Sequence, residues 1–84
     1  MKKIFPSPRN PQTVAEQLKK VHEELTEFES EYASGDIEHA QMELVDVFHS
    51  VEWLVTSFQL EHKFDIDEKV LDVKEKNAGR GYYL

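Results

Sequence analysis

The chain has 84 residues, a formal net charge of −7, no cysteine and 39% hydrophobic residues. A domain this short buries only about 60% of its unfolded surface, so its own core is marginal and a metal or a partner subunit is the usual remedy. Disulfides and thiolate zinc sites are excluded, and the acidic balance argues against bare nucleic acid or an anionic membrane surface as partner. No run approaches the roughly 20 apolar residues of a membrane span. The N-terminal "MKKIF" runs into Pro6 and Pro8 instead of the apolar stretch of a signal peptide, and the lack of cysteine suits a reducing cytoplasm, the expected setting.

Residues 1–12 hold all three prolines and read as an extended arm; residues 13–84 read as one helical domain. A first helix is predicted to begin at "TVAE", with Thr13 as N-cap and Glu16 completing a capping box; Asn10 before Pro11 is a competing start. Val14, Leu18, Val21, Leu25, Phe28 and Tyr32 then step by four and three, one stripe of a helix. "SGD" ends it, with Gly35 as the stop and Asp36 as the next N-cap. The second helix is predicted from about Ile37 to about His62. Its broad face is Ile37, Ala40, Leu44, Val47, Phe48, Val51, Leu54, Val55 and Phe58, and Met42, Trp53 and Leu60 form a line on the other side. A helix apolar on two sides is expected at the centre of a bundle. A third helix is predicted from "DIDE" to about Asn77, packing by Ile66, Val70 and Val73, before Gly79 and Gly81 leave "RGYYL" as a tail. The fold class is all-α, a three-helix chain with a long central helix that completes a bundle with a second subunit.

Carboxylates sit where a helix must bury itself. Five fall within the nine residues Glu23 to Glu31. At about 100° per residue, Gln17, Lys20, Glu24, Glu27 and Glu31 share one flank of the apolar stripe, while Glu23 points to water. On the second helix Glu43 and Asp46 are hemmed by apolar surface on both sides. A buried unpaired carboxylate is costly and either takes a proton or finds a cation. The second helix contains no lysine or arginine, so a divalent ion is the expected counter-charge. Oxygen ligands without thiolate favour Mg²⁺, with Mn²⁺ as the alternative.

"EELTE" (Glu23–Glu27) followed by "ELVD" (Glu43–Asp46) resembles the EExxE…ExxD signature of MazG-like nucleotide pyrophosphohydrolases. "KEKNAGRGYYL" (Lys74–Leu84) is similar to the K-x-x-N-x-x-R-G-Y tail of short, phage-type members, so the resemblance runs from about Val14 to Tyr83. It implies an all-α, oligomeric enzyme, a homodimer or a dimer-of-dimers tetramer. Such an enzyme cleaves the α–β phosphoanhydride of a nucleoside triphosphate to give monophosphate and pyrophosphate. It implies Glu24, Glu27, Glu43 and Asp46 as Mg²⁺ ligands, Glu24 or Glu27 as the proton acceptor, and Lys74, Asn77 and Arg80 near the phosphates. Tyr82 and Tyr83 are candidates for stacking on a base, or equally for packing on a neighbouring subunit. At the small end of the family, the chain has little room for a specificity loop of its own.

Two other readings are open on sequence. One is a non-enzymatic helical dimerisation or regulatory module whose acidic flanks only solubilise it. The other is a di-iron carboxylate protein; "DIEH" and "DVFH" pair Asp36 with His39 and Asp46 with His49, but no Glu-x-x-His falls within the apolar stripes. His22, His39, His49 and His62 share no metal-ligand spacing and are expected to pack or to lie on the surface.

Overall fold

The computed structural model describes residues 2–84. Three helices follow in order, α1 (Val14–Ser34), α2 (Ile37–Glu61) and α3 (Ile66–Gly79), and there is no strand among the described residues. The ends obey local chemistry. Thr13 Oγ1 accepts from the Glu16 N–H at 3.1 Å, and Glu16 Oε1 accepts from the Thr13 N–H at 2.9 Å, so two donors at the start of α1 are satisfied. Gly35 closes α1 at φ 82°, where an L side chain is strained, and donates to the carbonyls of Glu31 and Tyr32. Asp36 at once caps α2 by accepting from the His39 N–H, and Asp65 caps α3 by accepting from Glu68.

α1 and α2 pack as an antiparallel hairpin, tied at its open end by Glu61, whose carboxylate accepts from the Val14 N–H. The seam follows a heptad on both sides. On α1 the buried and half-buried positions are Val14, Gln17, Val21, Glu24, Phe28 and Glu31; on α2 they include Ala40, Glu43, Val47, Ser50, Leu54 and Ser57. Each line steps by three and four, and every second position is polar. Gln17 is 3% exposed and Ser57 2%, while Ala40 is the one apolar residue buried to that degree among the described residues. Every polar member of the seam is followed by a large apolar residue: Leu18, Leu25 and Tyr32 on α1, and Leu44, Val51 and Phe58 on α2. All six are exposed. The apolar stripe predicted as the buried face of α1 is therefore split. Its Val14, Val21 and Phe28 line the seam, whereas Leu18, Leu25 and Tyr32 form an outer flank.

α3 differs from expectation in its packing. None of its Cα atoms lies within 8 Å of one in α1 or α2 among the described residues. Its Ile66, Val70 and Val73 instead share a shallow hollow with Phe64 and with Tyr83 of the tail. A larger opening of about 540 Å³ separates its first turn from Val55, Thr56 and Gln59 on α2. Among the described residues no helix is long and apolar enough to cross a membrane.

The arm is docked. The buried carboxylate of Glu52 accepts from the N–H groups of both Ile4 and Phe5, at 3.0 and 2.9 Å, and these bonds hold its pKa below the ordinary carboxylate value. Trp53 Nε1 donates to the Pro6 carbonyl at 2.9 Å. The Phe5 ring stacks on the His49 imidazole at 4.2 Å, and that imidazole meets Trp53 edge-on at 4.4 Å.

Candidate metal centre

The seam's polar positions gather the carboxylates. Glu24 comes from the middle of α1 and Glu43 from the facing stretch of α2, and Glu27 lies one turn beyond Glu24. One oxygen from each of these three lies within 4.8 Å of the others. Their surroundings differ. Glu24 is buried, Glu43 half-buried and Glu27 exposed. Like charges this close disfavour joint ionisation, so the Glu27 pKa is raised, chiefly by the charge of Glu24 and then by the adjoining Glu43 carboxyl. Glu43 Oε2 is buried with no hydrogen-bond partner among the described residues. A buried acceptor left unmatched beside two other carboxylates is a donor set suited to a hard divalent cation.

Lys20 is a partial counter-charge that helix-by-helix reading overlooked. Its Nζ lies 3.0 Å from Glu24 Oε1, one turn earlier on α1, and its pKa is raised, mainly by this hydrogen bond to Glu24. The signal in the sequence was the i,i+4 spacing of Lys20 and Glu24.

Asp46 is exposed, not hemmed in, because α1 packs along the Glu43–Val47–Ser50 line and leaves the Asp46 side of α2 open. It falls outside the three-oxygen cluster. Together with Glu24 it lines a neighbouring cavity of about 230 Å³, so the quartet divides between a cluster and the adjoining wall. Glu23 is exposed, as expected.

The remaining candidates lie elsewhere in the chain. Lys74 and Asn77 are on α3, and Arg80 and Tyr82 on the turn that follows it, where the Asn77 carbonyl accepts from the N–H groups of both Arg80 and Tyr82. A single chain does not bring them to the carboxylates, since α3 does not pack on the hairpin. A second acidic group, Glu31, Asp36 and His39, sits at the α1–α2 turn. Local bonding accounts for it: Asp36 caps α2 and pairs with the His39 ring, which raises the His39 pKa and lowers that of Asp36.

Comparison of the chain with protein-family models, with curated proteins and with solved structures gave no match. Any family assignment therefore rests on the two acidic motifs, the tail and the geometry just described.

Proposed function

We propose that the chain is a Mg²⁺-dependent nucleoside triphosphate pyrophosphohydrolase that cleaves the α–β phosphoanhydride. The observation that carries this reading is the convergence of Glu24, Glu27 and Glu43 within 4.8 Å, with an unmatched buried oxygen on Glu43. These residues, with Asp46 on the adjoining wall, would hold Mg²⁺ or Mn²⁺. Bound there, the cation supplies charge neutralisation and activation of water.

The protein's own groups define the rest. Water attacks the α-phosphorus, its oxygen forms the new P–O bond, and the bond to the β-phosphate oxygen breaks, giving monophosphate and pyrophosphate. Glu27 receives the water's proton: it is the exposed member of the cluster, open to solvent water. Glu24 is less suited, being paired with Lys20. Lys74, Asn77 and Arg80 are assigned to the pyrophosphate leaving group and Tyr82 to the substrate's periphery, delivered when α3 closes over a hairpin.

A second copy of the chain completes this reading. The outer flank of Leu18, Leu25, Leu44, Val51 and Phe58 lies beside the polar seam and is exposed. Pairing two such hairpins buries it as a four-helix bundle, in a homodimer or a dimer of dimers. Light scattering is expected to give a dimer or tetramer at micromolar concentration. The activity is tested with a panel of ribo- and deoxyribonucleoside triphosphates, each incubated with Mg²⁺ and scored for monophosphate and pyrophosphate. Absence of both products across the panel would overturn it.

A further inference from the structure

The cavity beside the carboxylates has three walls. α1 contributes Gln17, Lys20 and Glu24, and α2 contributes Asp46, His49 and Trp53 among others. The third wall is Pro8, Asn10 and Gln12 of the N-terminal arm. Its chemistry changes along its length. Charge lies at the Glu24, Lys20 and Asp46 end. The remainder offers amides, hydroxyls, the His49 imidazole, the Trp53 indole and Pro8. Drug-sized ligands occupy pockets of about 300–1,000 Å³; at about 230 Å³ this one has room for a single small planar group.

Two further features mark it as a site and not a packing fault. Gln17 is buried with one amide hydrogen on the Ser50 carbonyl, and a primary amide carries a second donor and an acceptor as well. His49 Nε2 is buried with no hydrogen-bond partner among the described residues. The arm wall is held by defined bonds, from Ile4 and Phe5 to Glu52 and from Trp53 to Pro6. A proline-rich segment fixed at that many points presents Asn10 and Gln12 in a set place.

We propose that this cavity is a nucleobase pocket. In it the N-terminal arm reads the polar edge of the base through Asn10 and Gln12 while the ring lies against Trp53. Glu52 is a positioning residue that holds the arm in place. The identity of the ligand as a nucleotide rests on the hydrolase reading; the pocket itself does not.

Trp53 is the single tryptophan of the chain, so its fluorescence reports occupancy without turnover. dAMP, dGMP, dCMP and dTMP are titrated into the full-length protein with Mg²⁺, with inorganic tripolyphosphate as the base-free control. At least one monophosphate is expected to change the Trp53 signal saturably, with about tenfold preference over the weakest, while tripolyphosphate leaves it unchanged. Asn10→Ala and Gln12→Ala each weaken the preferred monophosphate by about fivefold, the cost of one lost hydrogen bond. Glu52→Gln weakens it as well, with Mg²⁺ binding by calorimetry unaltered in all three.

The proposal is overturned if no monophosphate moves the signal, if tripolyphosphate moves it equally, or if the arm variants bind as the parent does. Hydrolysis of triphosphates without any base response overturns the pocket and leaves the hydrolase reading standing. A saturable base response without hydrolysis does the reverse.

Discussion

Lys20 Nζ and Glu24 Oε1 lie 3.0 Å apart, a cation from one turn of α1 resting on the buried carboxylate of the next. The pair partly neutralises a cluster that holds two further acids. A divalent ion at the cluster needs the same oxygens, so lysine and metal compete. Lys20→Met is expected to lower thermal stability without metal and to tighten Mg²⁺ binding by about threefold, the scale of a partly exposed ion pair. Calorimetric titration of both proteins checks this; weaker Mg²⁺ binding in the variant would mean that Lys20 supports the site.

The cluster also predicts opposite effects on stability and activity. Glu27→Gln removes one of three crowded charges, so the metal-free protein should melt higher while hydrolysis falls by about 100-fold or more. Glu24→Gln, Glu43→Gln and Asp46→Asn should each abolish turnover. Glu23→Gln, on the exposed side, should be mild. Equal damage from all five substitutions would contradict the directions assigned to these side chains.

Arm docking should be lost in acid. Two backbone N–H groups hold the Glu52 pKa below its ordinary value of 4.5. A carboxyl with a depressed folded pKa stabilises the bound arrangement above the unfolded pKa, and that contribution disappears as pH falls through the folded one. The Trp53 indole N–H resonance, bonded to Pro6, should therefore hold its docked shift from neutral pH down to about 4.5 and move below it. In Glu52→Gln the resonance should lose this pH dependence.

The tail should be separable from the fold. Because α3 does not pack on the hairpin within one chain, deleting residues 80–84 is expected to leave helix content and Mg²⁺ binding nearly intact while cutting hydrolysis steeply. Arg80→Lys should also be damaging, since lysine cannot make the bidentate phosphate contact of a guanidinium. Full activity in the truncated protein would remove Arg80 and Tyr82 from the site and leave the carboxylates to carry it.

Much of the fold was legible because local chemistry decides it. Thr13, Gly35 and Asp36 mark helix ends by hydrogen bonds within a few residues, and the structure places them in those roles. The buried face was less legible. Periodicity finds a stripe but not the line within it that meets a neighbour, and here that line runs through Gln17, Glu24 and Ser57, one residue before the strongest apolar positions. The stripe carries both a seam within the chain and an exposed flank, and a pattern of apolar residues does not separate the two. Glu24, Glu27 and Glu43 could be paired from helix direction alone. The arm contacts of Glu52 and Trp53 could not, because residues 47 or 48 positions apart are joined by backbone groups that carry no residue-type signal.

Glu24, Glu27, Glu43 and Asp46 are proposed to serve α–β cleavage of a nucleoside triphosphate. Phosphorus NMR of the triphosphate hydrolysed most readily, recorded with protein and Mg²⁺, tests it most directly. Resonances of the monophosphate and pyrophosphate should grow together at equal rates, and both should be absent with Glu43→Gln or when the metal is chelated. Growth of diphosphate and orthophosphate instead, or an unchanged spectrum with the folded, Mg²⁺-loaded protein, would contradict it.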